Sequence, residues 1–94
     1  MFKTLEELIA AIRQRKVDAN KESYTGKLLN NKKLSTEKVK EEIKELIEAI
    51  EKNTNKVHET ADVLYHLMVL LEANGIKIED VMDELKKRKN DKLA

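Results

Sequence analysis

The stretch HETADVLYHLMVLL, residues 58–71, is the most apolar part of the chain, yet it carries Glu59, Asp62 and His66. A helix that is apolar nearly all round is normally buried, and a buried carboxylate is costly unless it is paired, protonated or bound to a metal. The rest of the sequence has to supply what those acids face. Position by position, Val57, Ala61, Val63, Leu64, Leu67, Met68, Val69, Leu70 and Leu71 leave little of this helix polar. At about 100° per residue, Glu59, Asp62 and His66 fall within roughly 60° of one another. Val63 and Leu70 flank that stripe on one side, and Tyr65 and Val69 on the other. Such margins turn it towards a cleft or a bundle interior.

Upstream, Val39, Ile43, Leu46, Ile47 and Ile50 define an amphipathic helix that runs from Ser35, a good N-cap, to about Lys52. Leu34 and Val39 stand where a hydrophobic staple would lie. Asn53, Thr54 and Asn55 form a short turn, with Thr54 or Asn55 to cap the next helix, so the two helices should fold back as an antiparallel hairpin. An earlier helix is expected over residues 5–16, with Thr4 and Glu7 as a capping box and Leu5, Leu8, Ile9 and Ile12 as its stripe. Residues 17–34 show weak periodicity and read as a working loop. Gly75 ends the apolar helix, a last helix follows near 79–89, and residues 89–94 read as a frayed tail.

Composition agrees with an all-α domain spanning residues 1–94: there is no proline, and there are only two glycines. Nineteen basic and eighteen acidic residues give a net charge of +1, and Phe2, Tyr24 and Tyr65 are the only aromatics, which argues against nucleic acid as a partner. No run of eighteen apolar residues is present for a membrane span, and the N-terminus is unlike a signal peptide. With no cysteine, thiolate metal sites are excluded. The expectation is a soluble, cytoplasmic, helical protein. One hairpin cannot cover the apolar helix, so a second copy of the chain is the economical cover, giving a homodimer of four-helix-bundle type.

On the first hairpin helix, Lys38, Glu42, Glu45 and Ala49 make a second stripe about 60° wide, while Glu41 and Glu48 point further towards water. Closing the hairpin would bring Glu42 and Glu45 to Glu59 and Asp62. Four converging carboxylates repel one another unless a cation sits among them, and all-oxygen ligation suits Mg2+, with Mn2+ as a substitute. The bland alternative for Glu42 and Glu45 alone is a solvated face, and for His66 a core or supporting position. Other metal patterns fail on spacing. HExxH would need a second histidine where Asp62 stands, and neither histidine has the glutamate three residues before it that a di-iron bundle requires.

The pattern EExxE (Glu41, Glu42, Glu45) followed by ExxD (Glu59, Asp62) resembles the MazG-like all-α nucleotide pyrophosphohydrolases. Within that superfamily, SYTGKLL at 23–29, ETADVLYHLMVLLEANGI at 59–76 and EDVMDELKKR at 79–88 resemble the phosphoribosyl-ATP pyrophosphohydrolase family. The chain departs from the family in having Lys40 where a glycine is usual, and ANKE where Pro or Gly commonly precedes SYT.

The resemblance implies Mg-dependent hydrolysis of phosphoribosyl-ATP to phosphoribosyl-AMP and pyrophosphate, an early step of histidine biosynthesis. It implies Glu42, Glu45, Glu59 and Asp62 as metal ligands and Glu41 or Glu45 as the proton acceptor. Ser23, Tyr24, Thr25, Lys27 and Lys38 become the candidate substrate contacts, with Lys38 alternatively paired to Glu42 or Glu45. The run Lys86–Lys89 is a further candidate for the ribose phosphate, or simply a basic helix end. Two other readings stay open: a house-cleaning hydrolase of free nucleoside triphosphates, and a non-catalytic helical interaction domain.

Overall fold

The computed structural model describes residues 1–18 and 22–92, which form five α-helices and no strand among them. They are α1 (Lys3–Val17), α2 (Tyr24–Leu29), α3 (Lys32–Lys52), α4 (Lys56–Ala73) and α5 (Ile78–Lys92). The most extensive packing is between α3 and α4, the antiparallel hairpin that the two apolar periodicities predict. Helices α1 and α2 lie against α4, where Ile12, Leu28, Met68 and Val69 form a small sealed core. Leu28 and Val69 are 0% exposed. Leu5, Leu8, Ile9, Leu34, Leu71 and Ile78 pack around them.

Several local expectations change. Helix α3 begins three residues before Ser35, because Asn31 is an equally good cap and its Oδ1 accepts from the Leu34 N–H at 3.1 Å. Ser35 is instead buried inside the helix, so Leu34 packs on the core rather than as a staple. Helix α1 starts at Lys3 with Phe2 at the N-cap and no side-chain cap bond, so Thr4 and Glu7 lie inside the first turns and form no capping box.

The loop expected over 17–34 contains a helix. Ser23 caps α2 by accepting the Gly26 N–H on Oγ at 3.0 Å, and burial of Gly26 and Leu28 gives this six-residue helix the support it lacks alone. The part of the loop at 19–21 lies outside the described residues. At the other end, α5 runs to Lys92, into the stretch from residue 89 where a frayed tail is expected, and residues 93–94 lie outside the described set.

Two turns fix how the helices follow one another. Asn53 (φ 55°) and Asn55 (φ 47°) both take the left-handed conformation that asparagine tolerates better than most side chains. Asn55 occupies the N-cap of α4 with that backbone and makes no side-chain cap bond. After α4, Gly75 at φ 69° lets the Gly75 N–H reach the Glu72 carbonyl at 3.3 Å and the Ile76 N–H reach the Leu71 carbonyl at 2.9 Å. This paired closure is a Schellman motif, and it turns the chain towards α5.

One guanidinium joins three helices. Arg13 Nε of α1 donates to Glu72 Oε2 of α4 at 3.0 Å, while Nη1 and Nη2 donate to Glu79 Oε2 and Oε1 of α5 at 2.9 and 2.7 Å. Lys16 Nζ adds a bond to the Glu72 carbonyl at 2.8 Å. The Arg13 hydrogen bonds hold the Glu79 carboxyl down at about 2.

Candidate active site

The hairpin brings the acids of α3 and α4 face to face. One carboxylate oxygen from each of Glu42, Glu45 and Glu59 lies within 4.8 Å of the others. A second group, His58, Glu59 and Asp62, meets the same limit, so Glu59 belongs to both. Glu42 and Glu45 sit one turn apart on α3, as do Glu59 and Asp62 on α4, and antiparallel packing sets the two pairs opposite each other.

The electrostatics of this cluster are unfavourable as it stands. Burial, then the Glu45 carboxylate, pushes the Glu42 carboxyl above its usual range, and Asp62 adds to the push. Burial, then Glu45 and Asp62, raise Glu59 likewise. Glu42 Oε2 and Glu59 Oε2 are both buried and have no hydrogen-bond partner among the described residues. A buried carboxylate oxygen without a donor is costly. Two of them aimed into one volume, with only oxygen and imidazole donors around, fit a hard divalent cation.

The remaining candidates take distinct positions. Glu41 points to solvent, 3.5 Å from Lys38 Nζ, outside the carboxylate cluster. Lys38 therefore pairs with Glu41, rather than with Glu42 or Glu45. Lys40 is exposed on the outward side of α3. Tyr24, the first residue of α2, is half exposed, and its hydroxyl lies 2.8 Å from His66 Nε2. Burial raises its phenol, partly offset by the nearby Lys38 charge. Thr25 Oγ1 is hydrogen-bonded to the Tyr65 hydroxyl. Ser23 is engaged as the α2 cap. Lys27 is exposed one turn beyond Tyr24, on a neighbouring part of the same helix face. Lys86–Lys89 lie exposed on α5.

His58 is the neighbour that sequence reasoning missed. Its Nε2 stands 3.4 Å from Asp62 Oδ2, and the i, i+4 spacing of the two residues on α4 was the available signal.

Residues 5–89 match the family model described as phosphoribosyl-ATP pyrophosphohydrolase. Among curated proteins, the phosphoribosyl-ATP pyrophosphatase of Metallosphaera sedula is 42% identical over 91 residues, covering 94% of this chain and 98% of that protein. The phosphoribosyl-ATP pyrophosphatase of Haloarcula marismortui is 39% identical over 90 residues, covering 90% of this chain and 92% of its own length. A chloroplastic histidine biosynthesis bifunctional protein of Arabidopsis thaliana is 41% identical over 93 residues, and the chain spans 33% of its length.

Proposed function

The chain belongs to the phosphoribosyl-ATP pyrophosphohydrolase family, and from that membership we propose that it hydrolyses phosphoribosyl-ATP to phosphoribosyl-AMP and pyrophosphate, within histidine biosynthesis. The observation that carries the reading is the convergence of Glu42, Glu45 and Glu59, with Asp62 beside them, around buried carboxylate oxygens that have no protein donor among the described residues.

Glu42, Glu45, Glu59 and Asp62 would hold Mg2+, with His58 beside Asp62. When bound, the cation neutralises phosphate charge and makes water a better nucleophile near neutral pH. The chain's own residues do the rest. Glu45 lies inside the cluster and accepts the proton of the attacking water, whereas Glu41 is turned to solvent beside Lys38. Lys27 and Lys38 supply positive charge for the phosphates from α2 and α3, and the half-exposed Tyr24 ring offers a face for the base.

The working unit is proposed to be a homodimer. Ile43, Ile47 and Ile50 on α3 remain exposed at i, i+4, i+7 spacing, with Ile47 at 53% and Ile50 at 57%. Val57, Ala61 and Leu64 repeat that spacing on α4 and line a shallow apolar groove with Lys56 and Thr60. Two such stripes on one hairpin suit the same hairpin of a second copy, which completes a four-helix bundle.

The deciding assay measures pyrophosphate release from phosphoribosyl-ATP and from free nucleoside triphosphates, with and without Mg2+. Strong preference for phosphoribosyl-ATP is expected; preference for the free triphosphates would overturn the assignment. A chain that releases pyrophosphate from neither would favour the interaction-domain reading.

A further inference from the structure

His66 is 7% exposed, and both of its ring nitrogens are engaged. Nδ1 lies 2.8 Å from the backbone carbonyl oxygen of Asp62, one turn earlier on α4. A carbonyl oxygen only accepts, so Nδ1 carries a proton. In the Nδ1–H tautomer Nε2 keeps its lone pair, and the Tyr24 hydroxyl, 2.8 Å away, is then the donor. Two tyrosine rings, stacked on each other with centroids 6.3 Å apart, bear on the imidazole. Tyr65 meets it edge-on with centroids 4.9 Å apart at 84°, and Tyr24 does so at 5.9 Å and 83°. Tyr65 is itself tied through its hydroxyl to Thr25 on α2.

Two residues of the SYT segment are therefore anchored to two adjacent residues of α4. The helix turn that anchors them is the one that bears Asp62. Tyr24 donates its O–H to His66, so its oxygen offers only lone pairs to other groups, and the Lys38 charge lies near enough to act on it.

We infer that His66 is a positioning residue: fixed as the Nδ1–H tautomer by the Asp62 carbonyl, it orients Tyr24 and so sets the nucleotide-facing segment of α2 against the carboxylates of α3 and α4. The tautomer assignment stands on geometry alone, and the catalytic consequence rests on the function proposed above.

Long-range proton–nitrogen NMR on the full-length, cation-free protein reads the tautomer directly. Nδ1 is expected to give the protonated-type resonance of His66 and Nε2 the unprotonated type, with Nε2 moving in Tyr24→Phe. A proton on Nε2 overturns the inference. In steady-state kinetics, Tyr24→Phe is expected to raise KM for phosphoribosyl-ATP about threefold to tenfold, the size of one lost hydrogen bond, with kcat changed far less. His66→Gln, which keeps an acceptor near the Nε2 position, should recover most of the loss seen in His66→Ala. Equal damage from His66→Gln and His66→Ala, with Tyr24→Phe silent, counts against it. If the wild-type chain turns over no phosphoribosyl-ATP, the substrate assignment fails, and the nitrogen spectrum still decides the role of His66.

Discussion

Glu42 on α3 and Glu59 on α4 bring carboxylate oxygens within 4.8 Å of each other, and each hides an oxygen with no hydrogen-bond partner among the described residues. Both carboxyls are raised, chiefly by burial. A carboxyl raised in the folded state binds more protons there than in the unfolded chain. Stability of the cation-free protein should therefore fall as pH rises above the ordinary carboxylate value of 4.5. Glu42→Gln should flatten that fall and raise the cation-free melting temperature. It should also abolish the stabilisation by Mg2+, which for the wild type is about 2.7 kcal/mol at a hundredfold excess over Kd. Calorimetric melts with and without Mg2+ provide the check, and an unchanged Mg2+ response in Glu42→Gln would refute the shared site.

On the acid side the opposite sign holds for Glu79. Its carboxyl is lowered to about 2 by Arg13, so its contribution is present above 4.5 and drains away as pH falls towards 2. Melts of wild type and Glu79→Gln should differ near neutrality and converge in strong acid. A gap that stays constant down to pH 2 would show that the ion pair does not account for the difference.

Ile47→Glu places a charge in the middle of the exposed α3 stripe. The proposed dimer should dissociate to monomers, with helical content retained, as read by light scattering and circular dichroism. A dimer that survives this change has its interface elsewhere.

Leu28→Ala should cost about 3 kcal/mol, because the side chain is fully buried and a cavity would remain. Denaturant midpoints measure it. A loss well below 1 kcal/mol would mean that α2 is not anchored through this residue.

Gly75→Ala isolates backbone strain, since an added Cβ meets nothing within 4 Å. At φ 69° the penalty should be about 1 kcal/mol, or roughly 4–8 °C in melting temperature. Asn at this position should recover part of it, because asparagine tolerates the left-handed region.

The hairpin was legible because two long apolar periodicities stand either side of a three-residue polar turn, and the acids because they interrupt one of those runs. Helix starts were less so: Asn31 and Ser35 are comparable caps, and only the packing of Leu34 on the core decides between them. Helix α2 escaped because six residues carry too little periodicity and owe their helix to the burial of Leu28. The Arg13 clamp was invisible for a different reason. Its partners lie 59 and 66 residues away, and nothing local marks Arg13 among nineteen basic residues.

The connector Asn53–Thr54–Asn55 contributes no acid of its own, but its Asn55 carbonyl accepts the Glu59 N–H at 3.0 Å and it sets the alignment of the two acid pairs. A change of its length that re-seated α4 by one residue against α3 would turn that helix by about 100° about its axis and shift it about 1.5 Å along it. Glu59 and Asp62 would then face away from Glu42 and Glu45. Substitutions in this solvent-washed tripeptide that keep a left-handed backbone are cheap, whereas a change of its length acts as a mis-set gear tooth: the rods still turn, out of mesh.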